Sequence, residues 1–240
     1  MLTKHKLNAL INIENVSSNL LEENLTIGRA EFFQYSDIFK GLPILVPADP
    51  DIFEFNECDT FFLSDSELMK IFYGKVQSDY IGFRLSFNSN KFLSSWNVRK
   101  KFKKKLSEIT TLNYSSINKI QNLKSKFNNI AAFQTRNIPH FGHEAIIQEL
   151  LKQSDHVVIN PVIGPKKKGD LTVQALDKVY CYLADTKYNN QISFVPIYAQ
   201  MFYAGPREAI RHALLRQRLG FTKFSVGRDH AGADSFYDPL

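Results

Sequence analysis

In the second half of the chain, short apolar runs alternate with longer stretches in which apolar residues recur every three to four positions. The short runs predict buried strands, and the longer stretches predict helices that cover a sheet. Strands and helices in alternation predict an α/β fold, a Rossmann-like parallel sheet with helices on both faces. The predicted strands are Ile130–Phe133, His156–Ile159, Ile192–Ile197 and Phe224–Val226, and the predicted helices are His143–Lys152, Leu171–Leu183 and Pro206–Leu219.

The first part of the chain lacks this regularity. Residues 1–95 carry short apolar segments, such as Ile44–Val46 and Phe61–Leu63, among turn-forming residues, which predicts a small β-rich domain. Residues 96–128 are expected to form a helical, basic connector, and residues 129–240 the Rossmann-like domain.

Composition narrows the setting. A hydrophobic share of 44% and a charged share of 22% are typical of a soluble globular protein, and no apolar run is long enough to span a bilayer. The two cysteines, Cys58 and Cys181, are far apart, so we expect a reduced, cytoplasmic protein.

The net charge of +6 has a visible source in Arg99–Lys105. We favour a solvated helix face for this run over a nucleic-acid contact, because no RNA-binding motif accompanies it.

Each predicted strand is followed by an unusual polar segment. Because the carboxyl ends of parallel strands share one edge of a sheet, these segments are expected to converge on one ligand site. The four segments are Gln134–His143, Asn160–Asp170, Tyr198–Arg207 and Gly227–Gly232.

The first polar segment has the chemistry of a phosphate site. His140 and His143 are three apart at the start of a predicted helix, so both rings can face one side, and Gly142 removes bulk between them. The helix N-terminus favours anions, and the arrangement resembles the H-x-G-H motif of nucleotidyl transferases. Arg136 offers a planar fork for an oxyanion. Taken without the neighbouring residues, two histidines at this spacing are as consistent with helix capping or core packing as with phosphate binding.

The other segments allow more than one interpretation. The Lys166–Lys168 run is equally consistent with a mobile lid over phosphates and with a solvated loop. For Arg207 we favour pairing with a carboxylate over support of the site. Gly227–Gly232 can press its backbone against a nucleotide while Arg228 supplies charge. We expect a solvated helix face for Arg211, Arg216 and Arg218, and structural roles for His5, His156 and His212.

Taken in order, the four segments resemble ATP sulfurylase (sulfate adenylyltransferase). The resemblance covers residues 117–240, and the family carries a PUA-like β domain in the place of the N-terminal region. The matching stretches are Phe133–Asn137 with His140 and His143, Asn160–Gly164, Tyr203–Ala209 and Val226–Gly232.

The resemblance implies a nucleotidyltransferase reaction, with Mg–ATP and sulfate giving adenosine 5′-phosphosulfate and pyrophosphate by in-line attack on the α-phosphorus. It implies that Gln134, Arg136 and the Ala231 backbone bind sulfate. It also implies that Thr135, Arg136 and Asn137 are active-site residues, and that His140 and His143 stabilise the transition state. ATP would contact Gln134, Thr135, Arg136, Asn137, Gly227, Arg228, Asp229 and His230. No protein-bound metal, tightly bound cofactor, membrane or nucleic acid is expected, and a homo-oligomer is left open.

The sequence differs from the family in three ways. Phe141 and Phe202 stand where the family commonly has arginine, and Gly142 moves the histidine motif toward the broader nucleotidyltransferase pattern. The chain ends at Leu240, whereas family members continue with a segment that contacts adenine. We expect either a fragment or a short relative whose pocket is completed by another chain. The alternatives to sulfate transfer are adenylyl transfer to a different oxyanion or small acid, and nucleotide binding without turnover.

Overall fold

The computed structural model describes residues 48–67, 90–94, 99–100, 103–164, 171–199 and 205–228, together with residues 7, 10, 11, 15, 201, 230 and 231. The chain is divided into two compact units. One comprises Met1–Ser107, Met201–His212 and Gly227–Leu240, and the other comprises Glu108–Gln200 and Ala213–Val226. The apolar segment Ile44–Val46, the Lys166–Lys168 run and the residues His5, Phe202 and Asp229 lie outside the described residues.

A four-stranded parallel sheet forms the centre of the second unit. Its strands are β5 (Ile130–Phe133), β6 (His156–Ile159), β8 (Ile192–Phe194) and β10 (Lys223–Ser225), in the spatial order β10-β5-β6-β8. β5 and β6 have the predicted bounds, and they are buried at every position, as expected for strands covered on both faces. The predicted α/β fold with a parallel sheet is confirmed.

One face of the sheet packs against helices α2 (Phe141–Leu151) and α3 (Val173–Thr186). Parallel partners such as Ala131, Val157 and Ile192 share this face, and their side chains form one core with Ile147 of α2. The core further includes Phe133, Ile159, Leu176, Tyr180, Ala184, Tyr188 and Phe194. Because side chains alternate between the two faces of a strand, every second residue of each strand meets these helices.

On the opposite face, the sheet is contacted from the end of α1 (Lys103–Lys124) and from the C-terminal half of α4 (Pro206–Leu219). His156 stacks on Phe127, just beyond α1, with ring centroids 4.9 Å apart. On α4, the Arg216 guanidinium lies 5.0 Å from the ring centroid of Phe224, the partner of Ala132 in β10. Helices therefore lie on both faces, as predicted.

Burial of α4 corrects one sequence expectation. Arg211 and Arg216 are 2% and 0% exposed, so the predicted solvated face holds only for Arg218. They lie at helical spacing with Leu215 and Leu219, which are also buried. The predicted bounds of this helix are confirmed, since Pro206 begins it and Gly220 follows it with a φ of 92°.

The predicted strand Ile192–Ile197 is two strands. β8 ends at Phe194, and β9 (Ile197–Tyr198) pairs instead with β7 (Val162–Ile163), which the sequence pattern did not reveal. Pro196 lies between them and has no N–H to continue the ladder. Its carbonyl accepts a 2.6 Å hydrogen bond from Ser116 of α1.

In the first unit, short antiparallel pairs form the described β structure. β2 (Thr60–Phe62) pairs with β3 (Lys91–Leu93), and β1 (Phe53–Glu54) pairs with β4 (Arg99–Lys100). The solvated-helix interpretation of Arg99–Lys105 is therefore wrong for its first two residues, because β4 forms there and α1 begins only at Lys103. The PUA-like identity and the domain boundaries at residues 95 and 128 stay predictions.

Within the described residues, no helix combines the length and the apolar character that crossing a membrane requires.

Candidate functional site

The strand order places a topological switch point at the carboxyl end of β5. β6 follows β5 in sequence and lies on one side of it, whereas β10 lies on the other side. The strand order therefore reverses at β5, and ligands of open parallel sheets bind in the crevice at the carboxyl ends of the strands at such a reversal. The polar segment that begins at Gln134 follows β5 directly, so its predicted location is confirmed by the topology.

His140 caps helix α2, and its ring orientation follows from that role. Its backbone is extended, with φ −138° and ψ 175°, and its Nδ1 accepts a 3.1 Å hydrogen bond from the Gly142 N–H. An accepting Nδ1 requires the proton of the neutral ring to lie on Nε2. His140 is exposed, so this tautomer presents an N–H donor at the helix N-terminus.

Gly142 leaves room for this ring beside the helix. A Cβ at Gly142 would lie 3.0 Å from Cε1 and 3.2 Å from Nδ1 of His140. A side chain there would require the imidazole to shift by a few tenths of an ångström. The glycine of the H-x-G-H pattern therefore makes room for the first histidine.

His143 lies behind His140. The two ring centroids are 4.0 Å apart, and His143 is only 9% exposed. Its Nε2 lies 3.1 Å from Oγ1 of Thr135, while its buried Nδ1 has no hydrogen-bond partner among the described residues. Burial lowers the pKa of His143, and the neighbouring His140 lowers that pKa further. His143 is accordingly a neutral ring that contacts the segment after β5.

Thr135 and Tyr180 shape the turn that carries the predicted active-site residues. Oγ1 of Thr135 accepts a 3.2 Å hydrogen bond from the Asn137 N–H, and the Tyr180 hydroxyl donates to the Asn137 carbonyl at 3.4 Å. Burial raises the pKa of Tyr180 to about 12, so the hydroxyl keeps its proton. Asn137 is exposed, and Gln134 and Arg136 are half-buried on the same segment.

The acidic side chain in the first turn of α2 is paired with a lysine. Glu144, in the first turn of α2, would oppose an anion at the helix N-terminus. It forms an ion pair with Lys187, which follows α3. The pair leaves the positive end of the helix dipole available to an anionic ligand.

In the first unit, the third and fourth polar segments are joined to each other. The Gly205 N–H, just before α4, donates a 2.9 Å hydrogen bond to the carbonyl of Ala231. Ala231 has a φ of 53°, a left-handed conformation that is strained for a residue with a Cβ. This hydrogen bond is one restraint that holds the strained turn.

A second link joins helix α4 to the fourth segment through side chains. Nδ1 of His212 lies 2.9 Å from Nε2 of His230, and the rings meet edge to face at 71°. Nε2 of His212 lies 3.3 Å from a carboxylate oxygen of Glu208. His212 was expected to be structural, and it is fully buried, yet it contacts a predicted nucleotide-binding residue.

The remaining residues of the fourth segment are open to solvent. Gly227 and Arg228 are exposed, and a Cβ at Gly227 would meet no protein atom within 4 Å. No contact within the protein therefore requires glycine there, which fits close approach of a ligand to the backbone. The convergence of all four segments on one site stays a prediction, as do the individual roles of the site residues.

Sequence reasoning missed several residues that support the predicted site. Tyr180 lies within the predicted helix Leu171–Leu183, and its position among apolar residues gave no sign of its hydroxyl contact. Glu208, His212 and Arg216 recur every four residues, in a stripe with Leu215 and Leu219. Charged residues at the apolar positions of a helix were the signal that could have identified them.

No group of three or more His, Cys, Asp or Glu side chains that could hold a metal ion occurs in the described part of the chain.

Known proteins share the segment that carries this site. A family model described as ATP-sulfurylase matches residues 116–240. Proteins named sulfate adenylyltransferase from Ignicoccus hospitalis, Thermococcus onnurineus and Pyrococcus abyssi are 44%, 48% and 45% identical over 111 residues. The matched region is 46% of this chain and 29% of each relative, so the chain covers under a third of their length.

One solved structure resembles this chain in fold over more of its length than the sequence matches cover. The hexameric APS kinase from Thiobacillus denitrificans superimposes with a TM-score of 0.54, covering 92% of this chain and 46% of that chain. Sequence identity is 12%, so this likeness concerns the fold alone.

Proposed function

The chain belongs to the ATP-sulfurylase family, and on this premise we propose that it is a sulfate adenylyltransferase. It converts ATP and sulfate into adenosine 5′-phosphosulfate and pyrophosphate, as the resemblance implied. A sulfate oxygen attacks the α-phosphorus in line with the departing pyrophosphate. Phosphoryl-type transfer of this kind depends on positioning and charge stabilisation rather than on a covalent enzyme intermediate.

One observation carries the proposal. At the switch point of the sheet, β5 is followed by the segment that carries Thr135, Arg136 and Asn137, and this segment leads to the exposed N–H of His140 and the N-terminus of α2. Such donors stabilise an anion without reorganising during the reaction. The ion-paired state of Glu144 keeps its carboxylate from opposing the anion.

The two histidines divide the work in this proposal. His140 is exposed and donates to the phosphates directly. His143 is buried, and it acts on the transition state through its contact with Thr135. Thr135, Arg136 and Asn137 form the active-site turn, and Tyr180 supports the backbone of that turn.

Substrate binding is assigned to the same turn and to the fourth segment. Gln134 and Arg136 hold sulfate together with the backbone of Ala231, and Arg136 is suited to this by its planar fork of donors. ATP enters as its Mg²⁺ complex, and contacts Gln134–Asn137 and Gly227–His230. Magnesium is therefore part of the substrate.

Sulfate-dependent release of pyrophosphate from ATP tests the proposal. Because Arg136 would meet the developing charge, Arg136→Ala should lower kcat/KM by about 100-fold or more. Arg218→Ala removes an exposed arginine from α4 and should leave the rate unchanged. Absence of release by the unmodified protein would refute the reaction, and a consistent preference for another oxyanion in an acceptor screen would replace sulfate.

We propose a cytoplasmic setting, which the two free, exposed cysteines Cys58 and Cys181 support. A homo-oligomeric form is also proposed. Light scattering of the purified chain tests it, and a monomeric mass would reject it.

A further inference from the structure

Asn160, the residue that follows β6, joins the carboxyl ends of three strands. Its backbone N–H donates a 2.8 Å hydrogen bond to the carbonyl of Phe133, the last residue of β5. Its side-chain Nδ2 donates a 2.6 Å hydrogen bond to the carbonyl of Val195, the residue after β8. Asn160 is 0% exposed, so both bonds lie in the interior, where water does not compete for the same groups. One residue therefore fixes the spacing of β5, β6 and β8 where they end.

Arg216 of α4 attaches Asn160 to the fourth strand. Its Nη2 donates a 2.7 Å hydrogen bond to the Asn160 carbonyl. Its guanidinium carbon lies 5.0 Å from the ring centroid of Phe224 in β10. Arg216 is also 0% exposed, and a planar guanidinium can stack on a ring and donate from its edge at the same time. The two side chains thus connect all four strands of the parallel sheet.

Two of the accepting carbonyls belong to the peptide groups at which strands pass into polar segments. The Phe133 carbonyl is part of the planar peptide that leads into Gln134, where the first polar segment begins. The Asn160 carbonyl is part of the peptide that leads into Pro161 in the second polar segment. A side chain that only filled space here could be apolar, which would avoid the cost of burying a polar group. Asn160 and Arg216 instead orient the main chain where these two segments start.

The active-site turn is a short continuation of the anchored peptide after Phe133. Within the turn, Oγ1 of Thr135 accepts a 3.2 Å hydrogen bond from the Asn137 N–H and lies 3.1 Å from Nε2 of His143. Because the backbone has only two soft dihedral angles per residue, a rotation of the first peptide would move Thr135 relative to α2. A misplacement of about 1 Å can lower a reaction rate by about 100-fold. The orientation of the first peptide therefore matters for the chemistry of the turn.

We propose that Asn160 and Arg216 are positioning residues that hold the first peptide of the active-site turn, and with it Thr135–Asn137, in the orientation that adenylyl transfer needs. The inference rests on the proposed function, in which this turn meets ATP and sulfate. It goes beyond that function by assigning a role to two buried residues that the proposed reaction does not use.

Nitrogen-15 relaxation of the full chain tests the positioning without any ligand. In the unmodified protein, the amides of Thr135–Asn137 should have order parameters near about 0.85, the value of rigid backbone. Asn160→Ala removes the bond to Val195 and keeps the backbone amide, and the order parameters of the turn should then fall below about 0.6. A flexible turn in the unmodified protein would overturn the proposal. So would order parameters and amide shifts in Asn160→Ala that both match the unmodified protein.

Ser193→Ala is the matched control. Ser193 lies in β8, and its Oγ is 2.7 Å from Nε2 of His156, the buried first residue of β6. The variant therefore removes one interior side-chain hydrogen bond away from the carboxyl end of β6. It should lower the midpoint of urea denaturation about as much as Asn160→Ala and leave the order parameters of the turn unchanged. An equal loss of order in both variants would indicate general loosening and would overturn the proposal.

Kinetics separate positioning from a loss of stability, once rates are divided by the folded fraction that urea denaturation gives. In Asn160→Ala, kcat for adenylyl transfer should fall about tenfold, because the reacting groups are misplaced. The Kd for Mg–ATP should stay within about threefold, because the donors at the N-terminus of α2 remain in place. Ser193→Ala should keep kcat within about twofold. An unchanged kcat per folded molecule in Asn160→Ala would overturn the proposal.

Arg216→Lys provides a second variant if Asn160→Ala does not fold. Lysine keeps the charge and loses the planar group that both stacks and donates, so the same falls in kcat and in turn order are expected. Unchanged values of both would contradict the positioning. The proposed function fails in a different way. A rigid turn that Asn160→Ala loosens, in a protein that releases no pyrophosphate, would support the positioning and refute the function.

Discussion

Replacing Gly142 with alanine should separate catalysis from stability in helix α2. The new methyl group would lie 3.0 Å from Cε1 of His140, closer than carbon atoms normally approach. The imidazole is exposed, so it can turn aside by a few tenths of an ångström or more. It then loses the 3.1 Å bond from the Gly142 N–H and presents its Nε2–H in a different direction.

Two effects on stability oppose each other in this variant. Loss of a helix cap costs about 1 kcal/mol, whereas alanine is favoured over glycine in a helix by about 0.8–1 kcal/mol. The free energy of unfolding should therefore change by less than about 1 kcal/mol. No opposing effect offsets the displacement of the His140 imidazole from the transition state. The kcat for adenylyl transfer should therefore fall about tenfold or more.

Ala145 provides the matched control, because it is exposed on the same helix, one turn after Phe141. Ala145→Gly should lower the free energy of unfolding by about 1 kcal/mol and leave kcat unchanged. Urea denaturation and pyrophosphate release measure the two quantities for both variants. Full activity in Gly142→Ala would show that the glycine does not serve the position of His140, and the reasoning would fail.

Three further results are expected. His140→Asn should keep the cap, and with it the stability of α2, while kcat falls about tenfold or more; an active variant would reduce His140 to a capping role. Burial lowers the pKa of His156 below its usual 6.5, so the unfolded chain binds protons more readily. The free energy of unfolding should thus decrease as pH falls below about 6.5, with a weaker dependence in His156→Gln; equal slopes would contradict the assignment. Arg216→Lys should destabilise the fold by about 1.5–3 kcal/mol in urea denaturation, because lysine cannot both stack on Phe224 and donate to the Asn160 carbonyl, a bond of 2.7 Å; a change under about 0.5 kcal/mol would argue against that role.

The sequence by itself determined the elements whose signals are local. β5 and β6 have the predicted bounds because four consecutive apolar or buried residues between polar segments suit a strand covered on both faces. Helix α4 begins at Pro206 and ends before Gly220 because these residues control the backbone at their own positions. Where side-chain partners matter, prediction was less accurate. Helix α3 begins at Val173 rather than Leu171 because Thr172 caps it.

The candidate phosphate site was predictable for the same local reason. Histidines three apart lie on one side of a helix start in any fold, and a segment after a strand lies at the edge of a parallel sheet. The sequence alone therefore placed His140 and His143 on one side of a helix start at the edge of the sheet. It left open whether these histidines cap or pack, and only the structure showed that His140 caps the helix and that His143 is buried behind it, because both depend on the packing around the turn.

Only the tertiary structure decided which charged residues are buried and which distant residues meet. Arginine is a residue type usually found at the surface, yet Arg211 and Arg216 are buried because they lie on the buried face of α4. The strand order that puts β10 beside β5 and the contact between His212 and His230, eighteen residues apart, are likewise products of chain topology. Burial energies and hydrogen bonds between distant segments depend on the partner that the fold supplies, and no local pattern of residues encodes that partner.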